Sequence, residues 1–584
     1  MIDIYEMQGK SMYNEIMSKH FNDWWEKSIG YMIYPISYQD SNSDGYGDIR
    51  GIISRLDYLK ELGINLLYIC PLFESPFHDG GYDVSNYYKI NPHFGNMEDL
   101  KELIHEAHVR EIRLIIDLPF NHTSKEHPWF QKALTDPFSK ERGFYYFLEG
   151  KEENGKLLPP NNWGSFFGES AWERVGESST FYLHIFGKEQ PDLRWDNPEV
   201  RKEMMQIACF YRDLGIDGFR LDACSHLAKD LSFEDSSLPM TNGIALDFSK
   251  FSNRPELLSY LKEFSDAVKG DGELLLIGES GGCLQPEEAL SLVNKKDGPL
   301  DMLFNFDTVN DNGSYESFYK ADEEIKTDVI SLKRNFMRWY SPLHDNAYLP
   351  IYWENHDGPR LLSQYGSTKY RDESAKMLFV TSLFLYGTPF IQYGDEIGMS
   401  NLHFEHIEDF YLDEPTISEV SSWRKEGISD EKILRYLNRS SRLSSRSIMQ
   451  WENKEYAGFS DARPYFPLNP NYKEGVNILS EMEDPYSILN FYQYAISYRK
   501  SALVSQSVLH SPLKIIDPNH PDVFSYLHDG AIKLLVISNM RDHEVYFSFY
   551  FEILDIKLHN YGDVILEDHV FHLRPFETYL LIVK

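Results

Sequence analysis

Asp222, Glu279 and Asp357, an arginine and two histidines stand at the ends of short apolar runs. Asp117-Leu-Pro-Phe-Asn121-His122 closes one run and Gly218-Phe-Arg220-Leu-Asp222 a second. Gly278-Glu279 closes a third, and Asn355-His356-Asp357 follows a fourth. Carboxylates of two kinds are what glycoside chemistry needs. Retaining hydrolysis uses an ionised nucleophile and a protonated acid ~5–5.5 Å apart. Arg220 precedes Asp222 by two residues, so both side chains leave a strand on one face, and the cation is expected to hold Asp222 ionised. Glu279 follows Leu-Leu-Leu-Ile-Gly. Partial desolvation there raises a carboxyl pKa, as a general acid requires. Asp357 is the third acid, placed to stabilise an oxocarbenium-like charge and to bind ring hydroxyls. Salt bridges at a barrel mouth explain one such acid more easily than all three.

The elements that must position these groups are strands alternating with helices. Gly30–Pro35, Leu66–Cys70, Arg113–Leu118, Ile216–Asp222, Leu274–Glu279, Met302–Phe306, Ile351–Trp353 and Phe390–Tyr393 read as strands. Ile49–Leu62, Met97–Arg110 and Glu199–Leu214 have helical periodicity between them. This alternation predicts parallel βαβ units closing into an α/β (β/α)8 TIM barrel over 24–121 and 198–506. Its C-terminal strand ends are where catalytic groups belong. Residues 122–197 are far longer than a βα loop of ~2–6 residues and are rich in Trp, Phe, Gly and Pro, so they predict an inserted subdomain over that face. From 507 to 584 strand-like runs with short turns predict a C-terminal antiparallel β-sandwich. Residues 1–23 read as an N-terminal extension. Internal repeats and low-complexity tracts are not evident.

Asp40-Ser-Asn42-Ser-Asp44-Gly45-Tyr46-Gly-Asp48 offers oxygens at the first, third, fifth, seventh and ninth positions of an EF-hand-like loop. Gly51 stands where the bidentate Glu of such a loop belongs. The expected metal is Ca²⁺, with Mg²⁺ second, on Asp40, Asn42, Asp44, the Tyr46 carbonyl and Asp48. Its role is structural, and no organic cofactor is expected.

The chain has 57 Lys+Arg against 91 Asp+Glu, a net charge of −34. That balance excludes a nucleic-acid partner, which needs a basic surface to displace counterions, and it opposes docking on an anionic membrane. No run of spanning length or export signal is apparent, and the four Cys form no CxxC pair. A cytoplasmic protein, monomer or homodimer, is expected.

The segments DLPFNH, GFRLDA, IGES and ENHD resemble the motif regions of the α-amylase clan of glycoside hydrolases. SNSDGYGDIRGIISRLDYLKELGIN, NHTSKEHPWF, QPDLRWDNPEVR, MQWENKEYAGF and NPNYKE extend the likeness to its α-glucosidase and oligo-1,6-glucosidase branch, over nearly the whole chain. The resemblance implies Asp222 as nucleophile, Glu279 as acid/base and Asp357 as third carboxylate. It implies His122, Arg220 and His356 around a glucose, with Tyr82 and Asp83 closing the pocket and Arg442 reaching into it. Phe186, before Gln190-Pro-Asp, is the sugar-platform candidate. A closed pocket implies exo action on a small gluco-oligosaccharide. In this branch Val after the nucleophile goes with α-1,6 preference and a smaller residue with α-1,4. Ala223 stands there, so maltose-type substrates are expected ahead of isomaltose-type ones. Transglucosylation, or sucrose or trehalose isomerisation, is the alternative on the same acids.

Overall fold

The computed structural model describes residues 24–240, 243–270, 273–309, 327–567 and 569–584. The expected extension, 1–23, lies outside them.

Eight parallel strands form the central sheet: β1 (Gly30–Ile33), β2 (Leu66–Ile69), β3 (Arg113–Pro119), β4 (Gly218–Asp222), β5 (Leu275–Ser280), β6 (Met302–Asn305), β7 (Pro350–Ile351) and β8 (Thr388–Gln392). Their order is β6-β5-β4-β3-β2-β1-β8-β7. The Tyr352 hydroxyl, donating to the Asn305 carbonyl at 2.7 Å, ties the two ends of the sheet together. Strands such as Leu66-Leu67-Tyr68-Ile69 are buried at every residue, as a sheet covered on both faces requires.

Helix ends follow from local chemistry. Asn96 and Asp99 form a capping box at the start of Met97–Val109, and Gly215, at φ 109°, ends Pro198–Leu214 in the left-handed region. The expected helix Ile49–Leu62 is two helices, Ile49–Ser54 and Leu56–Leu62. The break is at Arg55, whose guanidinium donates to Gln39 Oε1 and lies 4.0 Å from the Trp451 ring centroid. Periodicity ran through the break because the buried face continues on both sides of it.

Within 122–197 lie the helix Pro128–Thr135 and an antiparallel sheet of Phe147–Glu149, Thr180–Leu183 and Trp172–Arg174. Trp163, Trp172 and Phe181 are buried in its core, together with Phe251 from the segment after β4. Trp163 Nε1 donates to the Glu234 carbonyl at 2.9 Å, so the insertion and the β4 segment share one core. Lys229 fixes this junction. Its buried ammonium meets Asn121 Oδ1 at 2.9 Å, Asp192 Oδ2 at 2.7 Å and the His226 carbonyl. Taking a charge out of water is tolerable only with such complete pairing.

The helix Ala502–His510 runs through residue 507, and the terminal sheets begin at Leu513. Five antiparallel strands face three others. Alternation sends Val523, Leu527, Leu535 and Ile537 to the inter-sheet core, while Phe524, Tyr526, Leu534 and Val536 pack towards the barrel.

Candidate active site

β3, β4 and β5 carry Asp117, Arg220 with Asp222, and Glu279 to one end of the barrel, and the segment after β7 brings His356 and Asp357. Arg220 is paired in register with Asp117. Its Nη1 donates to both Asp117 oxygens at 2.9 Å and to Asp222 Oδ1 at 2.6 Å, while Nη2 donates to Glu279 Oε1. One guanidinium therefore spans both acids assigned to bond cleavage. Ala223, at φ 51°, turns its N–H to Glu279 Oε2 at 3.0 Å. A non-glycine residue there stores strain that the surrounding fold must hold. At Gly278 a Cβ would lie 2.8 Å from Cys224 Sγ, so any larger residue would push the neighbouring side chains aside.

Sequence reasoning gave Arg220 the task of keeping Asp222 ionised. The arginine is shared by three carboxylates. Burial, reinforced by Glu279, Asp117 and Asp357, raises Asp222 well above the usual carboxylate range against the pull of Arg220. Burial and Asp357 raise Glu279 in the same way. One positive charge among three buried acids favours a proton on the cluster, which is the stock a general acid draws on. Asp357 behaves oppositely. Burial alone would raise it, but His356, Arg446 and Arg442 draw it well below the ordinary range. Arg446 Nη2 donates to Asp357 Oδ1 at 2.9 Å, and Arg442 Nη1 lies 3.5 Å from the same oxygen. Arg446 carried a signal in the sequence, four residues after Arg442, but only the first arginine was assigned.

Tyr82 is buried, its hydroxyl donating to Asp117 Oδ2 at 2.7 Å and lying 2.5 Å from His356 Nε2. Burial pushes His356 down to about 3, which leaves its ring neutral. His122 is buried and its pKa also lowered by burial. Gln190 Nε2 links it, at 3.1 Å, to Asp79 Oδ2 at 3.0 Å. Phe186 stacks on Phe166 at 4.9 Å and meets His122 edge-on at 5.3 Å.

Asp83 requires correction. It is fully buried and accepts from Ser75 Oγ and from the backbone N–H groups of His78 and Asp79. Those bonds use its carboxylate to brace the turn. The acid of this turn that joins the site is Asp79, which accepts from Arg442 Nη2 at 2.7 Å as well as from Gln190. Its signal was its place three residues before Tyr82, overlooked in favour of the adjacent Asp.

In the 40–48 loop, Asp40 accepts from the N–H groups of Asn42, Ser43 and Gly45. Asp44 accepts from Tyr46 N–H at 2.9 Å. Asp48 is the N-cap of Ile49–Ser54, accepting from Gly51 and Ser41. Asn42, Asp44 and the Tyr46 carbonyl stand on a largely exposed turn around the Asp40 carboxylate, an all-oxygen donor set that suits a hard cation. Among the described residues the one cluster of three His, Cys, Asp or Glu ligand atoms within 4.8 Å is Cys70, Asp117 and His356, all buried, with Asp117 and His356 already hydrogen-bonded to Tyr82. No described helix is long and apolar enough to cross a membrane.

A family model for the alpha amylase catalytic domain matches residues 32–507. The chain is 37% identical over 574 residues to an oligo-1,6-glucosidase of Bacillus cereus, covering 96% of this chain and 99% of that one. Among solved structures, a trehalose-6-phosphate hydrolase of Bacillus licheniformis is similar at TM-score 0.87 and 34% identity, covering 96% of this chain and all (100%) of that one. An isomaltulose synthase of Erwinia rhapontici NX5 is similar at TM-score 0.89 and 31% identity, covering 96% and 99%. With a barrel whose strand ends gather acids around one arginine, and with matches over nearly its full length, this chain belongs to the α-amylase family and is a glycoside hydrolase.

Proposed function

We propose that the protein is a retaining, exo-acting α-glucosidase that releases glucose from short α-gluco-oligosaccharides. The observation that carries this reading is the single Arg220 guanidinium held by both Asp222 and Glu279. Asp222 attacks the anomeric carbon, and Glu279 protonates the leaving oxygen. Glu279, then a base, activates the water that releases glucose from the covalent glucosyl-enzyme. Asp357, kept charged by Arg446 and Arg442, offsets the positive charge on the sugar ring. Tyr82, Asp79 with Arg442, His122 and His356 supply polar contacts for the terminal glucose, and Phe186 an apolar wall. Buried Tyr82 supports a closed inner end and hence exo action.

Ala223 supports α-1,4 substrates such as maltose ahead of α-1,6 ones such as isomaltose, because a methyl leaves room beside the nucleophile. The resemblance to isomaltulose synthase favours one second reading: the same intermediate, attacked by a sugar hydroxyl, gives an isomer. Ca²⁺, or Mg²⁺ in its place, on Asp40, Asn42, Asp44, the Tyr46 carbonyl and Asp48 belongs to the proposal as a brace of the β1 loop. A cytoplasmic enzyme, monomeric or dimeric, completes it.

The test is Asp222→Asn, assayed on maltose, isomaltose, sucrose and trehalose beside the wild type. Expected are glucose as wild-type product, maltose fastest, and turnover in the variant down by at least about 10³-fold with the fold intact. An active variant would remove the assignment, and an isomeric disaccharide as main product would favour the second reading.

A further inference from the structure

Asp357 and Arg446 form their ion pair across two segments that are neither helix nor strand. Asp357 lies on the loop after β7, and Arg446 lies with Arg442 on the irregular stretch 441–447. Neither segment has a ladder of backbone bonds to fix it, so side chains must set where the two charges meet. The segments touch directly, through Arg446 Nε on the His356 carbonyl at 2.8 Å and Arg446 Nη2 on Asp357 Oδ1 at 2.9 Å. Arg446 makes both contacts only if its own stretch stands at this distance from the loop.

A second guanidinium sets that distance. Arg360 is fully buried. Its Nη1 donates to Glu354 Oε1 at 3.1 Å, which closes residues 354–360 into a loop that carries His356 and Asp357. Glu354 Oε2 accepts from the Leu361 N–H, so the same carboxylate also grips the backbone where the loop ends. Arg360 Nε donates to the Ser444 carbonyl at 2.9 Å and Nη2 to Ser447 Oγ at 3.3 Å, on either side of Arg446. Nη1 also donates to the Tyr393 carbonyl at 2.6 Å, just past the end of β8, and the Tyr393 hydroxyl donates to the Ser447 carbonyl at 2.8 Å. A flat, rigid fork can bond three segments at once, which an ammonium cannot. The buried charge is compensated. Burial and Glu354 raise Asp395 well above the usual carboxylate range, so Asp395 holds a proton and donates it to Glu354 in a hydrogen bond. Burial raises Glu354 too, but Arg360 and that bond oppose it and leave the negative charge facing the guanidinium. None of these bonds goes to Asp222, Glu279 or Asp357 itself.

We propose that Arg360 is a positioning residue for glucoside cleavage, acting by tying the loop of Asp357 and the stretch of Arg446 to the end of β8 in one fixed register. This rests on the site reading given above. Without the guanidinium the two segments part, the contact between Arg446 and Asp357 lengthens, and the charge on Asp357 loses its place opposite the sugar ring. A displacement near 1 Å in a site of this kind costs about 10²-fold in rate.

The experiment measures kcat and KM on 4-nitrophenyl α-glucoside for the pair Arg360→Met with Glu354→Gln, for Arg446→Met and for the three changes combined, with thermal melts to confirm folding. The pair leaves no buried charge alone, and glutamine still accepts from Leu361. Arg360→Lys, which keeps a charge beside Glu354 and gives up the fork, replaces the pair should it not fold. Expected are a loss in kcat of about 10- to 100-fold for the pair and about tenfold for Arg360→Lys, with KM within about threefold of wild type. The combined variant should be little worse than Arg446→Met alone. Losses that multiply in the combined variant, a loss confined to KM, or a folded Arg360 variant near wild-type activity would overturn the role. Asp222→Asn in the same assay separates the two levels. If it stays active, the site reading fails and this inference with it. If it is inactive while the Arg360 variants are unimpaired, the inference fails alone.

Discussion

Asp79 Oδ1 accepts from Arg442 Nη2 at 2.7 Å, and through that arginine Asp79 is coupled to Asp357. Asp83, four residues on, meets only its own turn. The two acids therefore separate on mutation. Asp79→Asn is expected to lower kcat/KM on a glucoside by about 10²-fold, the scale of a lost charge-assisted contact, with little change in melting temperature. Asp83→Asn is expected to cost about 1–3 kcal/mol of stability, since it weakens the satisfaction of buried donors, and to change kcat less. Steady-state kinetics and thermal melts on both variants check the split.

Ala223 sets a second expectation. Valine there fills space beside the nucleophile and is branched at a residue with φ 51°. The kcat/KM ratio of isomaltose to maltose should rise about tenfold or more, the scale of methyl-sized discrimination. Stability should fall by about 1–2 kcal/mol, because β-branched residues resist this conformation. Competing hydrolysis of the two disaccharides measures the first, and denaturant unfolding the second.

Acid should loosen the C-terminal sheets through Glu577. This buried carboxylate accepts from Arg574, Tyr579 at 2.6 Å and His559 at 2.6 Å. Burial would raise it, but these bonds draw it down to about 2 from 4.5. A depressed carboxylate stabilises the fold above its unfolded pKa, and that stability disappears as pH falls from 4.5 towards 2. Glu577→Gln is expected to lose on the order of 2 kcal/mol at neutral pH and to show a flatter stability profile over that acid window. Unfolding curves at stepped pH read both.

Removal of the cation tests the 40–48 loop. Treatment with a chelator is expected to lower the melting temperature by several degrees, with recovery on adding Ca²⁺ and a smaller recovery with Mg²⁺. Asp44→Ala should melt at the chelated temperature and ignore the ion. Active-site chemistry does not run through this loop, so kcat at low temperature should hold. Identical melts with and without chelator would remove the metal.

Much of the barrel was legible because each strand is buried on both faces and reads as an apolar run, such as Leu66–Ile69. The acids were legible because they end those runs. What the sequence hid lies in turns. In His78-Asp79-Gly80-Gly81-Tyr82-Asp83, two aspartates flank the same tyrosine, and only backbone direction decides which carboxylate turns inward. The Arg55 break was hidden because the apolar period crosses it undisturbed. The sharing of Arg220 was hidden because spacing along β4 shows one neighbour, Asp222, while adjacent strands bring Asp117 and Glu279 to the same guanidinium. The shared core of Trp163 and Phe251 was hidden for a like reason, since those residues lie on separate segments.

Lys229 has a consequence for how the molecule is made. The positive charge that joins Asn121, Asp192 and the His226 carbonyl is covalently part of the polypeptide. This three-way joint is complete as soon as translation and folding are. It needs no loading step, has no partly filled population, and is indifferent to whatever ions the surroundings supply.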